Sequence, residues 1–219
     1  MSSGLSGDDS ERRVVPNYSE HIYSNSLEYT PGAVWEYRTA LSSSLRDIIA
    51  HAIQSEDVAS YFNDVLFKPL NIQNLKWNNK NENGHVHLGG GLFFSPRNMI
   101  KLGQLFLDNG VWNGKQIISE KWVSEATLMR FNGKDIGFAH DAYRIDGYGY
   151  KWWINNFIVN GKVIRTYQAS GYGGQYIVVV PELNTVINFT CATENKNVVG
   201  PLNLIEYYIL KSLKTTDKK

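Results

Sequence analysis

Four short runs of aromatic and β-branched residues with period-two alternation follow Gly147: Tyr148–Ile154, Val163–Gln168, Gln175–Val180 and Thr185–Thr190. Alternation of this kind predicts strands. Asn160-Gly161 favours a two-residue hairpin between the first pair, and Pro181-Glu182-Leu183-Asn184 turns the last pair. Short links of this type join antiparallel neighbours, so the sheet is an antiparallel meander. Leu202, Leu204, Ile205, Tyr208, Ile209 and Leu213 then recur at helical spacing, a stripe suited to covering one sheet face.

Upstream the period changes. Leu41, Leu45, Ile48, Ile49, Ala52 and Ile53 mark one face of an amphipathic helix. Asp57 opens a second helix with Tyr61, Phe62, Val65 and Leu66 inward, closed by Pro69. Asn71 to Gly91 is polar and rich in Gly and Asn, and reads as a long loop. Ser95-Pro96 starts a third helix carrying Met99, Ile100, Leu102 and Phe106 and stopping at Gly110, and Ser119 caps a fourth through Leu128. No repeat or interdomain linker interrupts the order. The expectation is one α+β domain over 1–219, mainly helical over 1–130, with sheet and closing helix over 131–219.

At 219 residues the chain is long enough to bury roughly 70% of its unfolded surface in one core. A net charge of +1 supplies no field for gripping a polyanion, so nucleic acid is not an expected partner. Apolar runs such as Tyr176–Val180 fall far short of the ~20 residues of a membrane span. A single cysteine, Cys191, excludes an internal disulfide, and its place at the end of an apolar strand suits a core residue better than a nucleophile. Met1 to Ser10 shows neither the basic nor the apolar region of an export signal.

Several segments have residue types suited to chemistry. Ser170-Gly171-Tyr172-Gly173-Gly174-Gln175 lies between two predicted strands, where glycines bring main-chain N–H groups close to a ligand. That suits an oxyanion hole, and equally a glycine-rich turn without chemistry. Tyr37, before a helix and after Pro31-Gly32, suits a proton-shuttling phenol or a packed aromatic. His85-Val86-His87 has a spacing usable by a metal, but no third ligand is nearby, and solvated loop histidines are expected instead. Asp8-Asp9 and Glu56-Asp57 read as loop and helix-start charges. Aromatic residues reach 13%, which either fills strands and core or lines a sugar or peptide groove.

Taken together, the segments resemble the β-lactamase-related serine hydrolases: class C β-lactamases, DD-peptidases, esterases of that fold and 6-aminohexanoate-dimer hydrolases. Met1-Ser2-Ser3-Gly4-Leu5 looks like the family's TSGL segment, and Pro31 to Ile49 like its tyrosine-bearing segment. Phe67 to Ile72, Gly89 to Leu92 with Ser95 to Gly110, Trp112 to Val123 and Ala169 to Glu182 resemble further family segments in the same order. The resemblance implies a β-lactamase/transpeptidase-like fold and acyl transfer by a Ser-x-x-Lys nucleophile and base, with no cofactor and no metal. Tyr37 matches the relay tyrosine, and Tyr172 matches the position whose N–H completes an oxyanion hole. Arg38, Thr39, Ser170, Gly171 and Gln175 fall on substrate-binding positions.

No serine in the sequence has a lysine three positions later: Ser2 is followed by Leu5, Ser42 by Leu45, Ser43 by Arg46 and Ser119 by Trp122. The resemblance therefore implies that the N-terminal strands and nucleophile helix precede Met1, leaving this chain without nucleophile or general base. Tyr37-Arg38-Thr39 departs from the usual Tyr-Ser-Asn, and Ala169-Ser170-Gly171 lacks the usual cation. Those departures favour ester or amide hydrolysis of neutral substrates over penicillin turnover, with Arg38 as the replacement positive group. The alternative is a catalytically dead homologue binding peptide or peptidoglycan-like ligands in an aromatic cleft. An open sheet edge implies self-association.

Overall fold

The computed structural model describes residues 1–7, 18–78, 80, 83–136, 145–191 and 199–213. The acidic pair Asp8-Asp9 lies outside them. Two compact units divide the chain, Met1–Ser95 and Pro96–Lys219.

In the first unit, α1 (Tyr18–Tyr23) packs on α2 (Thr39–Ile53). The expected apolar face of α2 is buried only in part: Ile49 and Ile53 pack against Ala50, Val58 and Val86, but the helix buries a second, polar side. Ser42, Ser43, Ser44, Arg46 and Ala50 are buried, whereas Leu45 and Ile48 are 42% and 53% exposed. Serines allow close approach, and their hydroxyls are satisfied locally: Ser43 donates to the Thr39 carbonyl (3.2 Å) and Ser44 to that of Leu41 (3.1 Å). Arg46 is tolerated because its guanidinium reaches the Asp47 carboxylate (2.9 Å) and both the carbonyl and carboxylate of Glu56. Burial disfavours its charge, but these acceptors hold its pKa above the ordinary arginine value.

A further correction concerns the second predicted helix. α3 (Val58–Phe62), capped by the Asp57 carboxylate accepting from Ser60 N–H (3.0 Å), widens into a π-helical turn over Asn63–Phe67. The extra residue per turn rotates the buried face, so Phe67 and Leu70 are buried while Tyr61 and Val65 are exposed. The capping bonds hold the Asp57 carboxyl below its ordinary pKa. The loop after it is also less irregular than expected, since β1 (Lys76–Trp77) pairs antiparallel with β2 (Leu92–Phe93).

The second unit begins with α4 (Pro96–Leu107), a small ribbon of β3 (Val111–Trp112) and β4 (Lys115–Gln116), and α5 (Glu120–Thr127). Beyond them come β5 (Phe131–Asn132), α6 (Gly133–Ile136), β6 (Gly147–Tyr148), β7 (Trp153–Val159), β8 (Lys162–Gly171), β9 (Gln175–Val180) and β10 (Thr185–Thr190). The six larger-sheet strands run in the order β10-β9-β8-β7-β6-β5, each antiparallel to its neighbour. The expected strand Tyr148–Ile154 is broken by a turn: Gly149 N–H donates to the Trp152 carbonyl (2.8 Å), separating β6 from β7.

Alternation along the strands sends side chains to two cores. Ile154, Tyr167 and Val179 share one face with Phe106 and Leu107 of α4, where Gly103 lies against Ile177 and Val186. Phe157, Ile164, Tyr176, Val178, Val180 and Ile187 form the other. Leu202, Ile205 and Leu210 of the terminal helical segment cover that second face, with Ile209 and Leu213 partly buried beside them, whereas Leu204 and Tyr208 of the expected stripe are exposed, because a π turn rotates the buried side. That segment comprises α7 (Val199–Leu204), a π turn (Ile205–Ile209) and α8 (Leu210–Ser212).

Candidate active site

The candidate residues fall in two groups, one in each unit. In the first unit, residues 1–7 run beside residues 26–38. Gly32 N–H donates to the Ser2 carbonyl (2.7 Å), Glu28 N–H to that of Gly4 (2.8 Å) and Glu36 N–H to that of Met1 (2.7 Å). Gly4, at φ +74°, has no room for a Cβ, which would fall 2.0 Å from the Tyr29 carbonyl oxygen. The M-S-S-G-L segment is thus required to be glycine at its fourth position by close backbone approach.

Tyr37 lies two residues before α2; the residue is 39% exposed and its ring lies 6.2 Å from that of Trp35. Arg38 does not extend into solvent: its guanidinium donates to the carbonyls of Leu5 and Ser6 (2.8 Å to Ser6) and pairs with Glu36. Thr39, half-buried, begins α2 and contributes its carbonyl to the Ser43 hydroxyl.

One pair in this unit escaped sequence reading. His87, expected in solvent, is buried, and its Nε2 lies 2.7 Å from Ser43 Oγ, itself buried. The bond pins the 87–91 segment to the first turn of α2, where a Cβ on Gly89 would meet both Thr39 and His87. Only the serine run and the buried apolar neighbour Val86 hinted at it. At the other end of α2, Ala50, His51, Gln54, Ser55 and Glu56 line a surface hollow of about 340 Å³. His85 stands 3.6 Å from Glu56. Among the described residues no cluster of three or more His, Cys, Asp or Glu is placed to hold a metal.

In the second unit, Ser170, Gly171, Tyr172 and Gln175 come together at the β8–β9 turn. Gly171 pairs with Gln175, and Gly174 N–H donates back to the Gly171 carbonyl (3.3 Å). Gly173 and Gly174 sit at φ +90° and +92°, which selects glycine at both. Gln175 Nε2 donates to the Cys191 carbonyl (2.7 Å) while Cys191 N–H donates to that of Gly174 (3.2 Å), so the turn is braced from the end of β10. Tyr172 at the tip is 85% exposed, and among the described residues its N–H is not a donor in the turn's backbone hydrogen bonds. Ser170 Oγ accepts from the amide of fully buried Gln168 (3.2 Å), a contact no sequence pattern announced. Tyr167 is a different kind of phenol. Burial pushes its pKa up to about 12, and its hydroxyl donates to the Phe106 carbonyl (3.2 Å), so it is structural.

A helical unit, an antiparallel sheet covered by helices on both faces, and a glycine turn at the end of the long central strand together define a β-lactamase/transpeptidase-like fold. The Beta-lactamase family model matches residues 1–206, and the chain belongs to that family. Among solved structures it is similar to a Bacillus anthracis protein assigned as a 6-aminohexanoate-dimer hydrolase, at 19% identity and TM-score 0.69, covering 88% of this chain and 48% of that one. It is similar also to the octameric penicillin-binding protein homologue from Pyrococcus abyssi, at 17% identity and TM-score 0.64, covering 90% of this chain and 48% of that one. The penicillin-binding protein from Bacillus halodurans aligns at 14% identity and TM-score 0.64, over 93% of this chain and 70% of that one. The chain spans about half the length of the first two. No curated protein sequence matches it significantly.

Proposed function

We propose that these 219 residues carry the relay and oxyanion portions of a serine hydrolase that works by acyl transfer on a small ester, amide or peptide substrate. The observation that carries the reading is the β8–β9 turn, where among the described residues the Tyr172 N–H is not a donor in the turn's backbone bonds and the residue itself is exposed at the tip. A fixed donor of this kind stabilises the negative oxygen of a tetrahedral intermediate, and losing one typically costs about 2.7 to 4 kcal/mol of barrier. Tyr37 takes the relay role, passing the proton between nucleophile and leaving group. The nucleophile and its base come from residues outside this sequence, which holds no Ser-x-x-Lys.

Substrate charge follows from the binding positions. Ala169-Ser170-Gly171 offers no cation, and the Arg38 guanidinium is engaged by Leu5, Ser6 and Glu36, which supports a neutral substrate. With Gln168 donating to its oxygen, Ser170 retains its own proton for a substrate acceptor. Gly171 and Gln175 frame the substrate at the β8–β9 turn, Gln175 through its hold on the turn. The outer edge of β10, an uncharged Thr-Val-Ile-Asn-Phe-Thr strand, supports self-association by edge pairing.

The test uses the 219-residue chain labelled with ¹⁵N and titrated with methylphosphonate, a tetrahedral anion. The Tyr172 amide resonance is expected to move, and the shift to be lost in G174A. A fluorophosphonate is expected to leave the chain's mass unchanged. An unmoved Tyr172 amide defeats the oxyanion assignment, and a covalent adduct defeats the placement of the nucleophile elsewhere.

A further inference from the structure

The second unit carries an aromatic surface that the acyl-transfer reading does not use. Trp122 of α5 and Tyr150 of the turn between β6 and β7 have ring centroids 5.7 Å apart and planes 18° from parallel. At that spacing near-parallel rings are slid past one another, so part of each face stays open. Their exposures, 49% and 46%, report the same geometry. The Arg130 guanidinium carbon lies 4.9 Å from the Tyr150 centroid, and the same guanidinium pairs with the Glu125 carboxylate.

The mount is rigid. Ser119 caps α5 by accepting from the Trp122 N–H (3.2 Å), Tyr150 N–H donates to the Ala126 carbonyl (2.9 Å), and Arg130 N–H donates to that of Tyr148 (2.9 Å). Gly149 beside the platform has backbone so close that a Cβ would fall 2.3 Å from the Ala126 carbonyl oxygen. The platform is not required for packing, because α5 buries Val123, Ala126 and Thr127 and leaves Trp122 toward solvent.

Its chemistry selects a ligand class. Arg130 and Glu125 cancel each other's charge, so neither an anion nor a cation finds a net partner, yet both side chains remain partly exposed with hydrogen-bonding atoms on fixed stems. An aromatic side chain buries roughly 150–250 Å², so two half-open rings offer on the order of 200 Å², well below the roughly 800 Å² per partner of a stable protein interface. A sugar ring fits that area. Gluco-configured pyranoses present a flat face of axial C–H groups to a π-face and equatorial hydroxyls at the rim, where Arg130 donates and Glu125 accepts. We propose that Trp122, Tyr150 and the Arg130–Glu125 pair form a binding site for a neutral gluco-configured oligosaccharide, independent of the hydrolase site.

The probe is cellotetraose, titrated into the ¹⁵N-labelled chain, with W122F used to identify the Trp122 indole N–H. That resonance is expected to shift with saturation on the order of 0.1–1 mM, the weak end of specific affinity. W122A and, from the separate β6–β7 turn, Y150A are each expected to weaken binding at least tenfold, and R130A about threefold, with melting temperatures within a few degrees of the parent. A Trp122 signal that stays fixed up to the solubility of the sugar overturns the proposal. So does a sugar-dependent shift of the Arg130 backbone amide, the reporter common to all the variants, that survives both W122A and Y150A. A Trp122 shift that follows protein concentration instead of sugar overturns it in favour of a contact between copies.

Discussion

At the scale of single residues, buried polar groups carry the clearest consequences. Tyr167 keeps its proton in the folded chain to about pH 12, whereas an exposed tyrosine ionises near pH 10. The unfolded chain therefore binds fewer protons between these values, and the stability this residue contributes, complete below pH 10, is lost as pH rises toward 12. Denaturant unfolding at pH 9 and pH 11.5 is expected to show Y167F losing about 2 kcal/mol less than the parent over that interval. An equal loss in both proteins contradicts the assignment. His87 follows the same logic of environment: three residues of sequence, His85-Val86-His87, gave a solvated pair, and only the fold decided that one imidazole meets buried Ser43 while the other stands near exposed Glu56.

At the scale of elements, helix-to-sheet distance rests on one glycine. A Cβ at Gly103 of α4 would lie 2.5 Å from Val186 Cγ1 and 2.7 Å from Ile177 Cγ2, so the helix must lift from β9 and β10 to accommodate it. Overpacking of this sort costs about 1–3 kcal/mol. G103A is expected to lower the unfolding free energy by about 2 kcal/mol with little change in far-ultraviolet circular dichroism. The strands and their links were legible in the sequence because period-two alternation and Asn160-Gly161 act locally: Val159 pairs with Lys162 across exactly those two residues, both at positive φ. Helix faces were legible only in part. A π turn at Asn63–Phe67 shifted the buried side of the second helix, and serines in place of leucines faced inward on α2. Both outcomes depend on what packs against the helix, which no window of its own sequence contains.

At the scale of the whole molecule, β10 ends the six-stranded sheet with an uncharged edge. Native sheets protect such edges with charge, proline or bulges, and the Thr185–Thr190 strand has none of the first two. Sedimentation of the chain at increasing concentration is expected to show association, and T185K/T190K, which places a lysine at each end of β10, is expected to return it to monomer. Monomer behaviour in the parent at high concentration refutes edge pairing.

The sequence by itself determined the antiparallel order of the strands, the glycines at the β8–β9 turn and the family, because these rest on local backbone preferences and on motifs kept in fixed order along the chain. Tertiary structure alone decided which helix faces are buried, that Arg38 is bound by Leu5, Ser6 and Glu36, and that Ser170 is served by Gln168. Those are contacts between groups up to 33 residues apart, as between Arg38 and Leu5, and their free energies belong to the packed environment and not to either segment.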